Sequence, residues 1–444
     1  MPAIVWQMIP KLRHWWQNIQ SSFWFIPAVI VLGAMGLASG LIALDATVDL
    51  HFERQWPLLF GSGADGARGL LTAVASSMIT LAGVVFSITI VALSLTSSQY
   101  TSRVLRNFMR DRMNQVVLGV FVGIFAYCLI VLRTIRGGAE ETFVPSLAVL
   151  GGLSLALIGI AFLIYFIHHI SLSIQASNII AAAAEETIAA VDHLFPRGFG
   201  DDAENDVASH QPLSLAELRW SVVPALRTGY IENIDEHALL EFAVRRGTIV
   251  RMERGIGEFV VERSTLASMA GPYGPDEETT AELNRAYIVS RQRTVQQDAG
   301  FGIRQIVDIA LKALSPGVND TTTAVMCVDY LGAILARLAV RGIATPYRRD
   351  QGQLRVIARG PSFESLLAEA FDQIRQNAAG NVTVLRRQLE TLEIIAHQTP
   401  NAQRRQALRQ QAELITAVAE RTVNSPQDGE DVKAAFVRLS AVLD

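Results

Sequence analysis

Small and hydroxyl-bearing residues recur at helical spacing inside an otherwise apolar run: Thr72, Ser76, Thr80, Gly83, Ser87, Ser94 and Ser98, with Val91 filling the one gap. On a helix they share one side, with Leu, Ile and Phe on the other. Two uses fit this row. Small residues let helix backbones approach and hydroxyls bond across helices, and the same groups offer a neutral lining to a water-filled path. Hydroxyls of Ser and Thr can also bond back to carbonyls of their own helix. The run continues into Arg103, Arg106, Arg110 and Arg112 against the single Asp111. Arg103, Arg106 and Arg110, with Arg133 further along, are candidates to meet an anionic membrane surface or a small anion.

A second constellation is Ser315-Pro316-Gly317-Val318-Asn319-Asp320, followed by Thr321 to Thr323. Asn319 or Asp320 can cap the next helix by accepting its free N–H groups. The three threonine hydroxyls and the remaining N–H groups can hold an anion. Asp320 would repel that anion, and a turn plus a cap accounts for every residue type present. Nearby Arg291, Arg293, Asp298, Arg304 and Asp308 can form a polar network, an intersubunit contact or a solvated face.

Enzyme and cofactor signatures are missing from this pattern. No GxxxxGK[ST] loop exists: Lys312 is the only lysine between residues 12 and 432, and Ala313 follows it. HExxH, GxSxG and CxxC are absent as well. His168 and His169 point about 100° apart on a helix, so they do not share a metal easily. Cys128 and Cys327 give neither a disulfide framework nor a metal spacing. No cofactor is expected, and a net charge of −4 gives no reason to expect nucleic acid.

The element that must position the hydroxyl row runs from Leu70 to Arg112. Its first half, to Leu95, carries no charge and exceeds the roughly 20 apolar residues a bilayer requires. Neither Gly nor Pro breaks the join to the basic half, so one helix of roughly 65 Å is expected. Three more spans are read at about Phe23 to Leu44, Asn114 to Leu132 and Phe143 to His169. Gly33, Gly36 and Gly40 lie along the first, and Gly119 and Gly123 form a GxxxG pair in the third, which marks close helix packing. Tyr127 is placed in an interfacial belt. Residues 1–22, with Trp6, Trp15 and Trp16 among Lys11, Arg13 and His14, suit the membrane–water interface.

Short basic loops stay cytoplasmic. Lys11 and Arg13 share a side with the arginines of 103–112 and with everything beyond residue 170, so both termini fall inside. Arg133 and Arg136 are the discordant pair.

Half of the residues are hydrophobic, and almost all of this apolar excess precedes residue 180. The connector and acidic loop, 171–215, lead to a small β module at 216–270 with strands at Trp220 to Leu226, Tyr230 to Ile234, Thr248 to Glu253 and Phe259 to Glu262. A helix at 235–246 interrupts them, with Asp235 as N-cap and Gly247 as stop. The order resembles the barrel-sandwich hybrid of lipoyl and biotinyl carriers, without the lysine a carrier modifies. Residues 272–285 read as a linker. The segment 286–358 reads as α/β: a strand at Ala286 to Val295, helices at Gly302 to Leu314 and from Asn319 to Leu338, and a strand at Leu354 to Ala358. The region 359–444 reads as three or four helices.

Two stretches, SLTSSQYTSRVLRNFMRDRMNQVVLGVFVGIFAYCLIVLRT at 94–134 and RQRTVQQDAGFGIRQIVDIALKALSPGVNDTTTA at 291–324, resemble the bacterial membrane-protein family called domain of unknown function 2254. The likeness in element order runs from about residue 20 to the C-terminus. The family has Pro where Thr321 stands here. The resemblance implies the four-span layout and a cytoplasmic domain, and it brings no activity.

The expectation is therefore an inner-membrane protein: four transmembrane helices at 23–170, a cytoplasmic α+β domain with a small β-barrel-like module, and a C-terminal helical region. It is expected to self-associate and to act as a channel or channel-like transporter. The competing reading is a membrane-anchored sensor or scaffold without conduction. A membrane enzyme comes third.

Overall fold

The computed structural model describes residues 24–47, 63–99, 112–137, 142–195, 218–271 and 274–444. The chain divides into two compact units, Met1–Gln175 and Ala176–Asp444.

The first unit holds four apolar helices: α1 (Phe25–Thr47), α2 (Ala64–Gln99), α3 (Arg112–Thr134) and α4 (Ser146–Ser173). A two-stranded antiparallel pair, β1 (Arg136–Gly137) and β2 (Thr142–Phe143), links the last two. Helix α3 is central and packs against the other three. Its glycines make this possible. A Cβ on Gly119 would stand 2.9 Å from Pro27 Cα and from Ile30 Cδ1, and one on Gly123 3.4 Å from Ala34 Cβ. The GxxxG pair therefore seats α1 on α3 within the chain. Across the other side, Gly152 and Gly159 of α4 receive Leu71 and Met78 of α2. Tyr127 is not interfacial: it is fully buried, and its hydroxyl donates to Ala148 O at 2.7 Å.

The second unit begins with α5 (Ala176–Leu194). Its β part comprises β3 (Trp220–Pro224), β4 (Gly229–Ile234), β5 (Ile249–Met252), β6 (Phe259–Val260), β7 (Thr265–Ala270), β8 (Tyr287–Ser290), β9 (Tyr347–Asp350) and β10 (Gln353–Ile357), with α6 (Glu236–Arg245) and α7 (Glu277–Arg285) between strands. These strands form two open sheets, of order β3-β7-β5-β10-β9 and β6-β4-β8. No closed barrel forms among the described residues, so the barrel-like expectation is corrected. The cause is a long-range partner: β10 pairs in parallel with β5, Val356 opposite Val250, and extends that sheet. One core of Val223, Ile231, Leu239, Phe242, Val250, Leu266 and Val356 joins both sheets and α6.

The remaining helices described in this unit are α8 (Ala299–Ala313), α9 (Thr321–Leu338), α10 (Phe363–Asn377), α11 (Val382–Gln398), α12 (Ala402–Thr422) and α13 (Pro426–Leu443). Gly302 of α8 lies against Thr187 of α5, and Gly332 of α9 against Thr391 of α11. Helices α9 and α11 run parallel. Asn381 Nδ2 donates to Thr321 Oγ1 at 2.9 Å at their starts, and Arg387 Nε reaches Asp329 Oδ1 at 2.5 Å further along.

Among the described residues five helices, not four, are long and apolar enough to cross a membrane by length and composition: α1 to α4 and α9. The sequence places α9 in the soluble part, so the count of four is not exact.

Candidate functional site

The hydroxyl row lies on the outside of the first unit. Thr72, Ser76, Thr80, Gly83, Ser87 and Ser94 are all exposed, and a Cβ on Gly83 would meet nothing within 4 Å. The side of α2 that packs within the chain is a different one, built from Ala67, Leu71, Ala75, Met78, Ala82, Val85 and Ala92, with Thr89 and Thr96 buried in the same row. Alanine serves this contact because it is small and carries no polar group in need of a partner. Among the described residues nothing packs on the row, so the packing use is left to a contact outside them.

Two of its hydroxyls are locally satisfied. Thr80 Oγ1 donates to Ser76 O at 2.8 Å and Ser87 Oγ to Gly83 O at 2.9 Å, turning their hydrogens inward and leaving oxygen lone pairs outward. Helix α1 shows a comparable open face, since Gly33, Gly36 and Gly40 have no neighbour where a Cβ would stand.

Of the arginine candidates, Arg133 is exposed in the last turn of α3. Arg103, Arg106 and Arg110 lie outside the described residues, as does the join that would continue α2 into a basic rod. Asp45 lies in the last turn of α1 and bonds to α4. Its carboxylate accepts from Leu147 N at 3.2 Å and Ala148 N at 3.1 Å. Pro145 at the N-cap of α4 offers no side-chain cap, so α1 supplies one. Nothing in the local pattern of residues 45–69 points to that partner about a hundred residues away.

The Ser315–Asp320 segment is a turn and a cap. Ser315 Oγ donates to Lys312 O at 2.7 Å, Asn319 N to Ser315 O at 2.9 Å, and Asn319 takes a left-handed φ of 49°. Asp320 accepts from Thr323 N at 3.0 Å and from Thr323 Oγ1 at 2.5 Å. The bond from the Thr323 hydroxyl, with the one from its N–H, holds the Asp320 carboxyl below the usual carboxylate range. Beside Asn319 and Thr321 opens a polar cleft of about 630 Å³, also lined by Gly380, Asn381, Arg386, Asp428 and Asp431.

Of the charged residues upstream, Arg291 is exposed and the other four are paired. Arg293 reaches Asp298 at 2.8 Å, and Arg304 bridges Asp308 at 2.9 Å and Glu369 at 3.4 Å. Asp298 also caps α8 through Phe301 N at 3.0 Å. A tighter network was invisible in the sequence: Asp192 of α5 receives Arg337 in two bonds, 2.7 and 2.8 Å, and Arg341 as well. Among the described residues no group of three or more His, Cys, Asp and Glu side chains is placed to hold a metal.

The model of the family described as predicted membrane protein, domain of unknown function 2254, matches residues 20–394. The chain belongs to this family. Similar proteins include uncharacterised ones of Mycobacterium tuberculosis (strain CDC 1551 / Oshkosh) and Mycobacterium bovis. Each is 34% identical over 437 residues, covering 96% of this chain and 81% of the relative. No solved structure matches. Membership in this family and several apolar helices make the chain a multi-pass membrane protein.

Proposed function

We propose that the chain is a four-span protein of the bacterial inner membrane that assembles with copies of itself and conducts along the hydroxyl row of α2. The observation that carries this reading is the outward position of that row, small and neutral over Thr72 to Ser94 and not packed upon among the described residues. In a membrane such a face meets lipid, another helix or water. Packing by small residues favours a copy of the chain over lipid, and a ring of such faces leaves hydroxyl oxygens toward the centre. With no carboxylate in the row, selectivity falls to the ends, where Arg133 outside and Arg103 and Arg106 inside favour a small anion.

The surroundings of α9 support four spans rather than five. Its Asp329 and Arg337 are ion-paired to α11 and α5. Both termini are placed in the cytoplasm on the distribution of short-loop arginines. A non-conducting scaffold is the second reading. It is favoured by the hydroxyls of Thr80 and Ser87, which are already bonded to their own helix and need no water. The absence of catalytic motifs speaks for both readings over an enzyme.

The test is flux through vesicles holding the full-length protein under a salt gradient, comparing parent, Ser87→Leu and Thr80→Leu. Conduction along the row predicts flux in the parent and at least a tenfold loss in both variants at equal incorporation. Single cysteines at Ser76, Thr80, Ser87 and Ser94 should then react with water-soluble thiol reagents. Four unreactive positions with no flux from assembled protein would leave the scaffold.

A further inference from the structure

We draw no further inference here: the strongest candidate, the polar cleft where the N-terminal ends of α9, α11 and α13 meet around Asn319, Asn381, Arg386, Asp428 and Asp431, rests on helix N-termini whose acidic neighbours oppose the anion those ends would hold, and among the described residues no buried, unpartnered polar side chain is aimed into it.

Discussion

Asp320 shows how a single side chain fixes a helix start. Its carboxylate takes the N–H and the hydroxyl of Thr323 together, so the charged form is favoured in the fold. A carboxyl with a lowered folded pKa contributes stability that is complete above its unfolded value, about 3.9. That contribution disappears as pH falls through the lower folded value. Asp320→Ala should cost about 0.5–2 kcal/mol at neutral pH, the usual loss for a capping side chain. Asp320→Asn should keep most of the cap and lose the acid-dependent part. Unfolding midpoints in detergent, followed from neutral to strongly acid pH, read both effects. Equal acid sensitivity in parent and Asp320→Asn would remove this carboxylate from the account. Gln388 makes the opposite case. It is fully buried on α11, and neither amide atom has a hydrogen-bond partner. Leaving such a group unmatched costs about 1–3 kcal/mol, whereas an apolar side chain of similar shape does not carry that cost. Gln388→Met should therefore raise the unfolding midpoint, and a fall would show that the amide is matched, for example by internal water.

Glycine has opposite meanings on different helices of the first unit. On α3 and α4 it is where a neighbour sits; on α1 and on the outer side of α2 it is open. Gly119→Leu should therefore force α1 off α3 at a cost of at least about 1–3 kcal/mol, typical of overpacking. Gly83→Leu should leave the fold of one chain intact and disturb only what covers α2 from outside. Thermal unfolding and size in mild detergent separate the two. A folded Gly83→Leu that keeps the parent's oligomeric size would exclude this face from self-assembly. The sequence exposes α3 through its long apolar run, Asn114 to Leu132 within Arg112–Thr134, and α6 through its cap and stop, the expected 235–246 forming as Glu236–Arg245 with Asp235 as its cap. It does not reveal which side of α2 is buried, since an alanine row and a hydroxyl row repeat with the same period. Helix α7 falls inside the stretch read as an acidic linker, because only Thr279, Thr280 and Leu283 of its nine residues are buried. Strand β9, Tyr-Arg-Arg-Asp at a sheet edge, lacks the alternation that marks a strand. The expected strand from Ala286 to Val295 shrinks to Tyr287–Ser290, with a 3-10 turn at Val295–Gln297.

At the scale of the molecule, composition places the apolar excess early in the chain, and the structure separates a helical unit from a mixed one at Gln175. Helix α9 shows the limit of counting apolar windows. Its length and hydropathy pass for a span, yet one side carries Asp329, paired with Arg387, and its last turn carries Arg337, paired with Asp192. An ionised pair is expensive in hydrocarbon and ordinary at a protein surface. The four-span scheme therefore predicts that the ends of the bundle alternate and that the whole second unit stays on one side. Both native thiols, Cys128 and Cys327, are buried, so engineered cysteines can be read against a quiet background. In intact cells an impermeant thiol reagent should label a cysteine at Arg136, exposed on β1 just after α3, and should miss one at Val437, 65% exposed on α13. Permeabilising the inner membrane should bring Val437→Cys up to the level of Arg136→Cys. If α9 crosses instead, the segments before and after it lie on opposite sides. Cysteines at Val261 and Val437, both exposed, would then differ in intact cells, one labelled and one protected. Equal protection of these two positions, with Arg136→Cys reactive, leaves α9 in the cytoplasmic unit and fixes the topology on which the conduction reading stands.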